Sequence, residues 1–459
     1  MSPSDGVVAV GVKQLKVNVN EVTIGMFVSG LDRPWTQTPF PLQGFYVREA
    51  EEVRQLQAHC RHVYIDVVKG AAPIAARLQT MTKARPIKGA RQAHTNTNVK
   101  VDVSPLKIRR DLYKNHTSLK KEALHARELH QTVYRSVTEV MQQLGSGEVV
   151  AVQETKRVAS QMVDSVLRNP DAFTWLSRVK EADEHTYGHS VRSAVWAIIF
   201  GRHIGMSKKE LDTLAMGVLL KDVGKAKLDR TLLNKAQRTP AEQQDYERFV
   251  EIGVEILRQT PNVEPKVISV VKHHCERLNG SGFPQRLRGD KIPLLGKIAG
   301  IVTFYDEVTN PRGEVFPLAP SKAVAQLYEQ RDKDFQEELV VEFIRAIGLY
   351  PTGTLVELNT GEVAVVVEQN FERRLKPKVV VVLDARKIPL KKPLTLDLAE
   401  DERRKQALID NGQKQLDKIE IAQDLESGSF NVDIAKIRDE YLFSQATEKK
   451  GLFSFLRRR

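Results

Sequence analysis

Leu219-Leu220-Lys221-Asp222-Val223-Gly224-Lys225 is the stretch on which the reading of this chain turns. An apolar run through Val218, Leu219 and Leu220 delivers a lysine and an aspartate side by side, and a helix that is apolar all round packs inside a protein. Turned inward, the Lys221 ammonium forms an ion pair that satisfies the Asp222 carboxylate. Turned outward, it meets solvent at the rim of a bundle. The apolar approach favours inward or half-buried placement.

Around this stretch the texture is helical from Leu106 to about Leu349. Apolar residues recur at three and four in Val133, Val137, Val140, Met141 and Leu144, and again in Val158, Met162, Val166 and Leu167. Ser207 is placed to cap a helix that opens at Lys208, and Pro240 to Gln259 reads as one helix after the turn Arg238-Thr239-Pro240. Upstream, Val17 to Val22, Tyr46-Val47 and His62 to Asp66 read as strands and Ala50 to His59 as a helix. Downstream, Thr354 to Leu358, Val363 to Glu368 and Val379 to Leu383 are β-branched runs that predict a small meander. The expected fold is multidomain, mainly an all-α bundle with a small N-terminal α/β module and a small C-terminal β segment. Its expected parts are the α/β module at 11–70, a flexible linker at 71–105, the helical domain at 106–350, the β region at 351–390 and a charged helical tail at 391–459.

Bulk properties narrow the function classes. The 459 residues carry 41% hydrophobic and 28% charged content and a formal charge of +12. That charge permits an anionic partner but speaks to association and not to chemistry. No nucleic-acid motif and no interleaving of aromatic and basic residues accompanies it, so nucleic-acid association is the weakest reading. Only Cys60 and Cys275 are present, which predicts no disulfide framework and a reducing, cytoplasmic setting. The start lacks a basic flank and a long apolar core, which argues against a signal peptide. The C-terminal Leu452-Phe453-Ser454-Phe455-Leu456, followed by three arginines, offers at most a weak membrane contact.

Three features then fall in order within the helical region. They are Asp183-Glu184-His185-Thr186-Tyr187-Gly188-His189-Ser190, the Lys221-Asp222 pair, and His273-His274-Cys275-Glu276-Arg277-Leu278-Asn279-Gly280-Ser281-Gly282-Phe283-Pro284. Histidines and aspartates set far apart in sequence are what a bundle needs to converge ligands from several helices on one centre.

This ordered set resembles the HD-GYP family of the HD superfamily, which hydrolyses the bacterial second messenger cyclic di-GMP. Asn279-Gly280-Ser281-Gly282-Phe283-Pro284 stands where that family has Asp-Gly-Ser-Gly-Tyr-Pro, and the loop also has a plain reading as a shape-giving element. Glu251-Ile252-Gly253, Ile292-Pro293-Leu294 and Tyr305-Asp306-Glu307-Val308-Thr309 support the match. Residues 14–70 are similar to the N-terminal module that often precedes the domain, through the Trp35 loop, Gly44-Phe45 and Cys60-Arg61-His62-Val63-Tyr64-Ile65-Asp66.

The resemblance implies a divalent metal cofactor, iron or manganese, and carries ligand positions onto this chain. His189, Asp222 and His274 keep ligand chemistry. Lys221 replaces the histidine of the His-Asp pair, Phe249 replaces another histidine, and Thr303 stands where the family has an aspartate. The paired histidines fall on His274 and Cys275, or on His273 and His274 if one residue is inserted. An imidazole binds a divalent metal, whereas an ammonium cannot and repels it. Without its metal the site cannot turn water into hydroxide at neutral pH.

Lys225, Lys297 and Arg312 fall on positions where a cation serves phosphate oxygens, while Phe283 keeps an aromatic face without the family's hydroxyl. The resemblance therefore leads to a degenerate HD-GYP protein of cyclic di-GMP signalling that binds a nucleotide or protein partners. The alternative is an active phosphodiesterase with a rearranged metal site.

Overall fold

The computed structural model describes residues 14–66 apart from 34–37, 39, 41–43 and 48–49. It also describes residues 106–443 apart from 107, 110–111, 115–116, 147–151, 179–187, 236, 312–316, 371–372, 411–416 and 427. The linker expected at 71–105, Arg312, Trp35 and the C-terminal Leu452–Arg459 segment lie outside the described residues. The chain divides into two compact units, Met1–Asn98 and Val99–Arg459.

In the first unit four antiparallel strands, β1 (Gln14–Asn18), β2 (Phe27–Leu31), β3 (Phe45–Tyr46) and β4 (His62–Asp66), lie in the order β1-β4-β2-β3 with α1 (Ala50–His59). Val17, Val28, Leu56, Val63 and Ile65 form its core. The strand expected at Val17 to Val22 stops earlier. The Asn18 side chain accepts the Asn20 N–H and turns the chain into a 3-10 turn over Val19–Glu21, the local hydrogen bond by which asparagine competes with a ladder.

The second unit is led by helices. In chain order they are α2 (Leu119–Ser146), α3 (Gln153–Arg168), α4 (Pro170–Arg178), α5 (Gly188–His203) and α6 (Lys208–Leu220). After them come α7 (Arg230–Asn234), α8 (Pro240–Glu247), α9 (Phe249–Gln259), α10 (Pro265–His273), α11 (Leu294–Thr309), α12 (Pro320–Glu329) and α13 (Glu337–Ile347). All of α5 from Gly188 to Gly201 is buried, and so is α6 from Thr213 to Leu220. These two helices are the central ones because they have no polar stripe to turn outward. Ser207 caps α6 through a full capping box with Glu210, the start that the Ser-x-x-Glu spacing predicts. The single helix expected over 240–259 is two: the N–H of Arg248 turns to the Tyr246 carbonyl, and α9 starts afresh at Phe249.

A second antiparallel sheet follows, in the order β8-β7-β6-β5-β9. Its strands are β5 (Leu355–Leu358), β6 (Val363–Glu368), β7 (Lys378–Leu383), β8 (Pro389–Asp397) and β9 (Ile421–Asp424), with α14 (Leu398–Asp410) between the last two. The charged tail is thus not simply helical. β8 extends the sheet past residue 390, and β9 returns to cover the edge of β5 with Val356 opposite Asp424. β8 carries two prolines, which an edge strand tolerates, and β9 is four residues long, so neither has a clear pattern along the chain.

Several hydrogen bonds seat this sheet on the bundle, among them those of Trp175 and Asp171 and those of Ser321 with Asp424. Trp175 of α4 donates its indole N–H to the Val367 carbonyl at 2.8 Å. Asp171 accepts from the Thr352 hydroxyl at 2.9 Å and from the Gln369 N–H at 3.1 Å. Burial pushes the Asp171 carboxyl up to about 6, with those two hydrogen bonds opposing it. Among the described residues, no helix is long and apolar enough to cross a membrane.

Candidate functional site

Two of the central helices, α5 and α6, meet α9, α10 and α11 where the residues singled out from the sequence converge. α6 ends at Leu220, and Lys221 and Asp222 occupy the turn that leads into a 3-10 segment over Val223–Lys227. Gly224 allows this turn to lie against α9: a Cβ there would sit 1.9 Å from the Phe249 carbonyl oxygen.

Lys221 points inward and is fully buried. Its Nζ lies 2.6 Å from Asp222 Oδ2, while Lys225 Nζ lies 2.6 Å from Oδ1. One carboxylate thus carries two ammonium groups, and the Ser190 hydroxyl donates to Oδ2 at 3.2 Å. Burial alone would raise the Asp222 carboxyl, but Lys221 and then Lys225 outweigh it and hold it well below the carboxylate range. Burial pushes Lys221 down, and Asp222 opposes that push. The charge of the pair is what makes so deep a lysine tolerable, since an unpaired buried ammonium is far costlier.

Lys225 also lies over the Phe249 ring, 4.6 Å from its centroid, with the Tyr246 ring at 5.7 Å. Phe249 is buried, and its ring neighbours His274 at 5.8 Å and Phe283 at 6.1 Å. The position carried over as a lost ligand therefore supplies an aromatic wall and a face for a cation. His274 Nδ1 donates to the Val271 carbonyl at 2.8 Å, and burial, aided by Lys221, pushes the imidazole down to about 3. His273 is turned otherwise: its Cβ would stand 2.7 Å from a Cβ added at Gly296 of α11, and its Nδ1 bonds the Ser269 carbonyl at 2.7 Å. The Cys275 thiol is pushed up to about 12 by burial, so it is protonated at neutral pH. The Thr303 hydroxyl is buried without a hydrogen-bond partner among the described residues.

A second cluster stands beside the first. His189, near the start of α5, bonds through Nδ1 to Asp306 Oδ2 at 2.7 Å, and Arg192 one turn later reaches Asp306 Oδ1 through Nε at 3.0 Å. Asn310 donates to the same carboxylate at 3.1 Å. Burial, then Lys221, pushes the His189 imidazole down, so it is neutral with its Nδ1–H given to Asp306. Its Nε2 is buried without a hydrogen-bond partner among the described residues, 3.9 Å from both Asp222 Oδ2 and Glu307 Oε1. Asp306, Arg192, Ser190 and Tyr246 were not anticipated as site residues. The Tyr305–Thr309 motif marked the place of Asp306, but its partner lies 117 positions away along the chain, and nothing local signals that contact.

The loop after α10 is held by its backbone. Glu276 accepts the N–H groups of Gln285 at 2.7 Å and Leu287 at 2.9 Å. Asn279 bonds the Ser281 N–H and Asp334, each at 2.8 Å. A Cβ on Gly282 would meet the Arg277 nitrogen at 2.3 Å, and Gly280 sits at φ +80°. These glycines are required by close approach and left-handed backbone, and Phe283 follows them against Phe249. Lys297 is held by Asp290 Oδ1 and Gln336 Oε1, each at 3.0 Å.

A divalent metal is the cofactor that the family resemblance implies, and the donors present do not fit a di- or trinuclear centre. Each oxygen of Asp222 faces an ammonium, and Phe249 has no donor atom. Among the described residues no group of three or more His, Cys, Asp or Glu side chains is arranged to hold a metal ion.

Helices that converge His189, Asp222 and His274 are the arrangement of an HD domain. Residues 178–339 match the HD domain, residues 14–155 the domain of unknown function DUF3391, and residues 355–404 the KOW domain associated with HD domains. The chain is similar to a cyclic di-GMP phosphodiesterase of Pseudomonas aeruginosa, with 28% identity over 82% of this chain and 87% of that protein. It is also similar to a cyclic di-GMP phosphodiesterase response regulator of Xanthomonas campestris, with 27% identity over 46% of this chain and 56% of that protein. A solved HDG"Y"P protein from Bdellovibrio bacteriovorus shares 16% identity over 72% of this chain and 98% of its own, at a TM-score of 0.42.

Proposed function

We propose that this chain is a degenerate HD-GYP protein that serves cyclic di-GMP signalling by binding, with no metal-dependent hydrolysis of its own. The reading is carried by one observation: the Lys221 ammonium, 2.6 Å from Asp222, where the family resemblance places a ligand imidazole. The ammonium neutralises the carboxylate that a metal would need and repels a dication. Protein partners are the favoured ligands. The two described cations carried over as phosphate contacts already have anionic neighbours, Lys225 with Asp222 and Lys297 with Asp290, and freeing either for a phosphate costs its present ion pair. Cyclic di-GMP, on which relatives act by their names, remains the nucleotide to test.

Metal analysis of the purified chain, paired with a cyclic di-GMP turnover assay, tests the reading. The expected result is no stoichiometric iron or manganese and no turnover. Lys221→His, which restores an imidazole beside Asp222, is expected to gain manganese binding. A second reading, an active phosphodiesterase with a rearranged mononuclear site, draws on the free His189 Nε2 between Asp222 and Glu307. Stoichiometric metal together with turnover that is lost in His189→Gln would establish that reading and sink the first.

A further inference from the structure

An unexplained space in the second unit is a cavity of about 470 Å³ between α4, α5 and α11 on one side and the start of β5, Leu425, Gly428 and Val432 to Ala435 on the other. Among its lining residues are none of Lys221, Asp222, Lys225, Phe249 or His274. Its volume falls in the range of small-molecule sites, roughly 300–1,000 Å³.

Two buried polar residues line it. Arg192 lines the cavity and is 8% exposed, yet Asp306 is reached by its Nε alone. Among the described residues, nothing bonds its two terminal nitrogens. Ser177 also lines the cavity, is 5% exposed, and its hydroxyl has no hydrogen-bond partner among the described residues. A buried polar group left without a partner is costly, and a guanidinium fork is suited to two oxygens of one carboxylate or phosphate. Around these groups the walls are apolar, with Val195, Trp196 and Leu355. Among the described residues the lining holds one carboxylate, Asp433, which is exposed and accepts the Lys436 N–H at 3.0 Å. It therefore stands at the solvent side, where its charge is screened.

We infer that this cavity is a binding site for a small organic anion, whose carboxylate or phosphate takes the open terminal nitrogens of Arg192 and whose apolar or aromatic body lies against Val195, Trp196 and Leu355. The site is independent of any metal and of the fate of Asp222, so it stands whether or not the chain hydrolyses a nucleotide. Because Arg192 Nε holds Asp306, and Asp306 holds His189, an occupant is also one bond away from the HD cluster.

Calorimetric titration of the full chain with phenyl phosphate, benzoate and inorganic phosphate tests the inference. Saturable one-to-one binding of phenyl phosphate or benzoate is expected, and the better of the two names the anion. Arg192→Lys keeps the charge and loses the fork, and affinity should fall at least about tenfold, the worth of one charge-assisted hydrogen bond. Ala435→Trp, at the half-buried rim, fills the cavity without touching the Arg192–Asp306 pair and should abolish binding while the unfolding midpoint is kept. No binding of either aromatic anion at millimolar concentration overturns the inference. So does binding unchanged in Ala435→Trp, or binding of inorganic phosphate as tight as that of phenyl phosphate.

Discussion

The loop from Glu276 to Arg288 and the turn from Lys221 to Lys225 border the same space and are built on different physics. In the loop, position is dictated by backbone. Gly282 has room for no side chain, Gly280 needs a left-handed conformation, and one glutamate gathers two N–H groups. In the turn, position is dictated by charge, with one carboxylate balanced by two ammonium groups and Lys225 lying over the Phe249 ring. Steric rules admit few residues, so the loop keeps a family-like sequence even where the residue types beside it differ. Electrostatic rules admit substitutes, provided that the sum of charge is met.

Substitutions that violate each rule separately give the sharpest contrast. Asp222→Ala leaves Lys221 buried and unpaired and is expected to cost about 3–5 kcal/mol by urea denaturation. Lys221→Met, which removes the buried charge and keeps the volume, should cost less than half of that because Lys225 still faces Asp222. A larger loss in Lys221→Met than in Asp222→Ala would break the view that the turn is governed by charge balance. In the loop, Gly282→Ala forces a Cβ against backbone and should cost about 3 kcal/mol or slightly more, the upper range for overpacking. A neutral Gly282→Ala would show that the loop yields and that its sequence needs another explanation.

A pH titration adds a control outside both regions. Burial on α2 pushes the His130 imidazole down to about 4, so between pH 4 and about 6.5 the unfolded chain binds more protons than the folded one. The contribution of His130 is present above pH 6.5 and lost as pH falls toward 4, roughly 3 kcal/mol over the window at about 1.4 kcal/mol per unit. Asp171, raised to about 6, acts with the opposite sign: it favours the folded state at low pH and loses that contribution as pH rises through 6. The stability difference between wild type and His130→Gln isolates the first. It should widen in favour of the variant as pH falls, and a flat difference would contradict a neutral, buried imidazole. The smallest effect is expected for Lys297→Met. Its ion pair with the half-exposed Asp290 is of the kind worth about 1 kcal/mol or less, and melting curves should barely move.

Much of the fold is legible along the chain. The strand and helix at Ala50 to Asp66, the capped start of α6 and the runs at 363–368 and 378–383 have patterns complete within a dozen residues. β9 was not legible, because four residues in a charged segment become a strand only when β5 offers them an edge. The break at Arg248 was not legible either, since the residues on both sides of it favour a helix. In the site, the family-like positions pointed to His189, Asp222, Lys225 and His274, whereas Arg192, Asp306 and Tyr246 have no local mark of their role.

By itself the sequence determined that a lysine stands beside Asp222 after an apolar helix, that Phe249 and Thr303 bring no strong donor, and that the glycine loop keeps its form. These are matters of residue type, which no packing alters. Only the tertiary structure decided that the lysine turns inward onto the aspartate, that Lys225 joins it, and that Arg192 holds Asp306 with one nitrogen while two face a cavity. Those are matters of distance between residues remote in the chain, and burial sets the strength of each: the same charges in water would scarcely notice one another.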